Sequence, residues 1–197
     1  MIIVKVGGSL YNTPELAHWL SALAAYSLQQ PIVIVPGGGP FADQVRVAQQ
    51  YHHFNDETAH HMAIIAMKQF GLLLSSLAPS SQIINGNALP TSAFSIWLPD
   101  DELLTEPLLL KSWDSSADSI ALLLADQLQA EQLLLIKHSS THSTSIKELT
   151  ADKIIDNGFA QLFSTLSIIT KIIDYKAYAE LSDTLSKSNN HLNLQLS

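Results

Sequence analysis

A lysine inside an apolar strand must find a partner for its charge, and Lys5 stands in such a place, within Ile2-Ile3-Val4-Lys5-Val6 and two residues before Gly7-Gly8-Ser9. Burying an ammonium is costly unless an anion or hydrogen-bond partners receive it. Lys5 either reaches a transferring phosphoryl group or lies on an edge strand in solvent. A second glycine run, Gly37-Gly38-Gly39, directly follows the apolar segment Ile32-Val33-Ile34-Val35-Pro36. Glycines let backbone N–H groups turn inward as an anion-binding nest, and a following helix adds the positive end of its dipole. Two such loops suit phosphate. Neither fits the pattern of a P-loop or of a dinucleotide-binding turn.

Arg46, the sole arginine, lies about two helical turns beyond the triple glycine. It either clamps a phosphate or carboxylate bidentately or forms an i,i+3 surface pair with Asp43. In Trp113-Asp114-Ser115-Ser116-Ala117-Asp118-Ser119, Asp118 or Ser119 is either a helix cap or, for Asp118, an acid entering the cavity of Lys5. There it would orient lysines or reach a magnesium-bound phosphate. Histidines pair at 52–53 and 60–61 and recur at 138 and 142. Adjacent histidines point to different helix faces, and no carboxylate-histidine spacing of a metal site appears. His60 or His61 is placed to face the ligand cavity from the start of its helix.

The elements that must hold these residues alternate. Ile2–Val6, a helix from Pro14 to Gln30 and Ile32–Val35 read as a βαβ unit, which predicts a parallel sheet with ligands at the carboxyl ends of its strands. A helix follows over about 41–53. A longer one, capped from Asn55-Asp56-Glu57, carries an apolar face through Met62, Ala66, Phe70 and Leu74. Gln82-Ile83-Ile84 and Phe94-Ser95-Ile96-Trp97 read as short strands in the least regular third of the chain. Helical spacing returns from Ser115 to Ala130, then a central strand Leu133–Ile136 ending at Lys137. Thr150-Ala151-Asp152-Lys153 is expected to open a helix, Ser167-Ile168-Ile169 to form a strand, and 174–185 a last helix, with the chain frayed from Ser188.

In a chain of 197 residues, 47% hydrophobic and 14% charged residues leave ample material for one folded unit. A net charge of −8 argues against a dedicated nucleic-acid or anionic-membrane binder, and cysteine is absent. The opening segment resembles neither a signal peptide nor a membrane span, so a soluble cytoplasmic protein is expected.

Taken in order, Lys5-Val6-Gly7-Gly8-Ser9-Leu10, Val35-Pro36-Gly37-Gly38-Gly39-Pro40-Phe41-Ala42-Asp43-Gln44-Val45-Arg46 and Trp113–Ile120 resemble the amino acid kinase superfamily over about residues 1–137. The resemblance implies an α/β fold, a three-layer αβα sandwich with a mainly parallel central sheet. It also implies transfer of the γ-phosphoryl of ATP, with Mg2+ held mainly by the nucleotide phosphates, to a small acceptor. One domain of two lobes is expected, about 1–131 for the acceptor and 132–197 a reduced nucleotide lobe, in a homodimer or higher homo-oligomer. Phe41-Ala42-Asp43, Arg46, Asp56-Glu57-Thr58-Ala59-His60 and Ser112-Trp113-Asp114 look most like the branch serving methanofuran-type cofactor biosynthesis. The acceptor of that branch is an aminomethylfuran methyl phosphate.

By that likeness Lys5 and Asp118 are catalytic, and Gly7, Gly8, Ser9 and Lys137 bind the nucleotide. Gly37, Gly38, Gly39, Arg46 and His60 bind the acceptor. Relatives usually carry an acidic, glycine-containing segment where this chain reads His138-Ser139-Ser140-Thr141-His142-Ser143, and a second lysine from a later glycine loop that is not evident here. Lys137, Lys147 and Lys153 stand as substitutes. A non-catalytic nucleotide- or oxyanion-binding relative is the alternative function, as is a kinase for another phosphate or carboxylate acceptor.

Overall fold

Ile2–Val6 (β1) and Ile32–Pro36 (β2) are runs of buried, mostly β-branched residues paired in parallel. Gln82–Asn85 (β3), Phe94–Leu98 (β4), Gln132–Lys137 (β5) and Ile169–Asp174 (β6) complete a six-stranded sheet in the order β3-β4-β2-β1-β5-β6, with every neighbouring pair parallel. A parallel sheet is covered on both faces, so its strands read as continuous apolar runs rather than alternating ones. These features come from a computed structural model that describes residues 1–138, 143–186 and 193–196. The expectations for His142 and for the start of the frayed tail lie outside the described residues.

Seven α-helices among the described residues surround the sheet: Glu15–Tyr26 (α1), Gly39–His52 (α2), Asp56–Leu77 (α3), Ala117–Gln127 (α4), Ile146–Ala151 (α5), Asn157–Phe163 (α6) and Leu181–Leu185 (α7). Ile3, Val33, Val35, Leu133 and Leu135 face one core, closed by Ile64 and Met67 of α3 and by α4, α5 and α6. Ile2, Val4, Ile34, Leu134 and Ile136 face the other, against α1, α7 and Phe70 and Leu74 of α3. The result is a three-layer αβα sandwich. No helix among the described residues is long and apolar enough to cross a membrane.

The strand period of two positions the chemistry. Lys5 shares the face of Ile3 and pairs in register with Leu135; Lys137 lies two residues further along the adjacent strand, on the same face. α4 packs on that face. β1 is an interior strand flanked by β2 and β5, which removes the solvent-facing reading of Lys5.

The C-terminal third departs from expectation in four ways. Thr150-Ala151 closes α5 instead of opening a helix, because Ser145 caps its start by accepting from the Glu148 amide and Lys153 adopts a left-handed φ of 56°. The next helix starts from Asp156. The strand expected over 167–169 begins only at Ile169 and runs to Asp174, and a 3-10 turn with the short α7 stands in place of one last helix. Lys171, buried mid-strand, resolves the cost by donating from Nζ to the Thr184 carbonyl at 2.7 Å and the Ser186 carbonyl at 3.2 Å. Residues 193–196 are docked, not frayed: Leu194 is buried, and its amide donates to the Thr170 carbonyl at 2.8 Å.

The two glycine loops meet backbone to backbone. A Cβ on Gly8 would lie 2.2 Å from the Gly39 nitrogen, and one on Gly37 would lie 2.5 Å from the Gly8 nitrogen. Backbone cannot yield as a flexible side chain can. Gly8→Ala is therefore expected to cost about 1–3 kcal/mol in urea unfolding, the range for overpacking; a loss within error of zero would show that the loops part without cost.

Candidate active site

β1 ends in the 3-10 turn Gly8–Leu10, β2 runs into α2 at Gly39, and α4 begins at Ala117 under a Ser116 cap. All three openings line one cavity of about 430 Å³ at the carboxyl ends of the strands. The first amides of a helix have no carbonyl of their own helix to bond, so they offer donors and a partial positive charge. The cavity also receives Lys5, Lys137 and Arg46, which makes it a cationic basin in an acidic chain.

Two of these cations belong to a three-residue ion cluster. Lys5 Nζ lies 3.0 Å from Asp118 Oδ1, and Lys137 Nζ donates to Asp118 Oδ2. Asp118 is 3% exposed and Lys5 7%. Burial pushes the Asp118 carboxyl up, but Lys137 and Lys5 outweigh it by charge and hydrogen bonding and hold it at about 2. Burial pulls the Lys137 ammonium down; Asp118 raises it, Lys5 lowers it again, and the net shift is downward.

Asp118 is absent from the cavity lining and stands behind it, touching the lysines from the first turn of α4. Ser116, not Asp118 or Ser119, caps α4, since its hydroxyl accepts from the Asp118 amide at 3.2 Å. Of the two roles open for Asp118, the geometry favours holding the lysines.

α2 and α3 contribute a further stretch of the cavity lining. Arg46 makes the i,i+3 pair with Asp43 at 3.1 Å, and both side chains are at least half exposed, so the pair adds little stability. The guanidinium also lies 4.2 Å from the centre of the Trp113 ring and lines the cavity. Trp113 is pinned in turn: its Nε1 donates to Gln49 Oε1 at 2.7 Å, and Gln49 Nε2 donates to Asp56 Oδ1 at 2.8 Å. Ala63, Ile64, Met67 and Ile120 give the cavity an apolar wall.

His60, 4% exposed, lies in this wall. Burial lowers its pKa; a hydrogen bond with the Ser112 backbone raises it, and Lys111 and His61 lower it, leaving a net downward shift. It therefore contributes a neutral imidazole at neutral pH. No group of histidines and carboxylates among the described residues is arranged to hold a metal ion.

Ten of the eleven residues singled out in the sequence thus line one cavity, and the eleventh, Asp118, underlies it. Of the substitutes for a second lysine, Lys137 is the one that joins Asp118 and the cavity; Lys147 and Lys153 do not line it. Sequence reasoning missed two residues. Trp113 was visible as an aromatic beside the Asp-Ser-Ser segment, but its stacking on the lone arginine was not. Asp156 lies 38 positions from Asp118, and only its place before an apolar helical run signalled a cap.

Because the folded carboxyl of Asp118 titrates at about 2, below its ordinary 3.8, the unfolded chain binds the extra proton. Its stabilisation is present above about pH 4 and lost as pH falls through 2. Asp118→Asn should flatten that part of the stability-pH curve. At pH 7 it should cost about 3–5 kcal/mol, since the buried Lys5 and the partly buried Lys137 lose their counter-charge; urea unfolding of both proteins from pH 2 to 7 checks both effects.

Comparison with known proteins agrees with this architecture. The model of the amino acid kinase family matches residues 1–111. Over 141 residues the chain is 29% identical to the [5-(aminomethyl)furan-3-yl]methyl phosphate kinase of Methanocaldococcus jannaschii, covering 68% of this chain and 64% of that relative, slightly under two thirds of its length. Among solved structures, uridylate kinase from Archaeoglobus fulgidus superposes with a TM-score of 0.65 at 15% identity, over 90% of this chain and 95% of that one. Aspartate kinase from Synechocystis gives 0.63 at 14% identity, over 89% and 38% respectively. Such low identities speak for the shared fold; the family model, which spans more than half of the sequence and both glycine loops, says more, and the chain belongs to the amino acid kinase family.

Proposed function

We propose that this chain is a kinase that moves the γ-phosphoryl group of ATP onto the phosphate of a small acceptor, an aminomethylfuran methyl phosphate that becomes the diphosphate. The observation that carries the reading is the Lys5–Asp118–Lys137 cluster set among three helical openings at one cavity. An acceptor phosphate oxygen bonds to the γ-phosphorus as the bond from that phosphorus to the β–γ bridging oxygen breaks, and ADP departs with the electron pair. An anionic acceptor needs no general base. Catalysis is positioning and charge neutralisation.

Lys5 stabilises the transferring group, and Lys137 supplies the second cation from the end of β5. One carboxylate between two ammoniums leaves a net positive charge for the phosphates. Gly7, Gly8 and Ser9 cradle the nucleotide phosphates; Gly37, Gly38 and Gly39 meet the acceptor and the γ-phosphoryl. Both oxygens of Asp118 lie against lysines, so Asp118 would not be free to hold Mg2+, which would come with the nucleotide phosphates and supply further charge neutralisation there.

Residues to about 131 form the acceptor lobe and 132–197 the nucleotide lobe. Arg46 receives the acceptor phosphate. The apolar wall of Ile64, Met67 and Ile120 beside Trp113 suits an aromatic ring, and neutral His60 is a hydrogen-bonding member of that wall. The name of the Methanocaldococcus jannaschii relative supports this acceptor.

Incubation with MgATP and the aminomethylfuran phosphate, followed by phosphorus NMR, should show ADP and a diphosphate, whereas UMP or a carboxylate acceptor should give none. Lys5→Ala and Lys137→Ala should each lower kcat by about 10²–10³, the loss seen when one transition-state donor is removed, with Lys147→Ala unchanged. Arg46→Ala should raise the acceptor KM by about 10–100-fold through loss of a charge-assisted contact. Binding of MgATP with no turnover on any acceptor would identify a non-catalytic relative instead.

A further inference from the structure

Asp156 is a half-buried carboxylate with no ion-pair partner within 4 Å among the described residues, and it stands outside the cavity lining. Capping α6 explains only one of its contacts, the Phe159 amide donating to Oδ1 at 2.6 Å. Three further donors come from the start of α4. The Ser119 hydroxyl donates to Oδ1, and Ser116 donates to Oδ2 twice, from its hydroxyl at 2.5 Å and its amide at 3.1 Å. The same Ser116 hydroxyl accepts from the Asp118 amide at 3.2 Å, so Asp156 is one bond removed from the backbone of the residue that holds both lysines.

The segment is docked closely enough to act as a clamp. The Gly158 amide donates to the Asp114 carbonyl at 2.7 Å, and a Cβ on Gly158 would lie 2.7 Å from that same oxygen. Burial and the charge of Asp118 both raise the Asp156 pKa; bonds from Ser116, Ser119 and Phe159 pull it back, and the net shift is upward. A cap alone does not need this cost, because serine caps as well.

We infer that Asp156 is a positioning residue for phosphoryl transfer: by gripping the first turn of α4 from the start of α6, it fixes Asp118 between Lys5 and Lys137. The kinetic form of this inference rests on the kinase reading above, and its geometric form does not.

Asp156→Ser retains an oxygen for the Phe159 amide but is too short to span to α4, and Ser119→Ala removes one grip from the other side with both caps intact. Asp156→Ser should lower kcat by about 10²-fold, the cost of misplacing a catalytic group by about 1 Å. KM for ATP and acceptor should stay within about threefold, because neither ligand touches Asp156. Ser119→Ala should lower kcat in the same direction by about tenfold. A crystal structure of either variant should show the Asp118 carboxylate withdrawn from Lys5 by about 1 Å. Unchanged kcat in Ser119→Ala, or an Asp118–Lys5 distance still at 3.0 Å in both variants, overturns the inference. A parent chain without turnover sinks the kinase reading alone, and the crystallographic comparison still decides the role of Asp156.

Discussion

Two ammonium groups brought to the same face of neighbouring strands repel each other, and in a buried setting water does little to screen them. A single carboxylate must serve both, which is the constraint around which this molecule is arranged. Lys5 and Lys137 are fixed by the register of β1 against β5, in which Lys5 faces Leu135. Asp118 must then arrive from a third element, and α4 delivers it with one oxygen toward each lysine. With either lysine absent the carboxylate would keep only one counter-charge in a buried setting; with the acid absent the lysines would part or deprotonate.

That arrangement also explains the close backbone packing at the mouth. The loops after β1 and β2 can flank the cluster only if they approach without side chains, and Gly8 and Gly37 permit it. Their openings and that of α4 converge, so backbone partial charges add to side-chain charges at the same spot. Arg46 on the Trp113 ring and the apolar wall of Ala63, Ile64, Met67 and Ile120 line the same cavity, so a cationic group and a surface suited to a ring are offered together.

What the sequence disclosed was mostly local. A lysine among β-branched residues, glycine runs immediately after strands and an arginine two turns into a helix are short-range signals, and each falls at the cavity. The strands and the long helices were legible for the same reason. Lys137 was ambiguous among three lysines because its partnership depends on register between strands 130 residues apart. Asp156 was opaque because a cap and a clamp share one spelling. The helix boundaries near 150 misled because Thr150-Ala151-Asp152-Lys153 carries a plausible start signal at what is a finish. β6 was cut short because Lys171 looks out of place in a buried strand until the carbonyls of Thr184 and Ser186 are seen around it.

The docking of residues 193–196 beside β6 bears on self-association. An open parallel sheet ordinarily presents two rims of unpaired amides and carbonyls, and a molecule with two sticky rims can stack without limit. Here the Leu194 amide already occupies the Thr170 carbonyl on one rim. A strand added by another molecule along that stretch of β6 would first have to displace the docked segment.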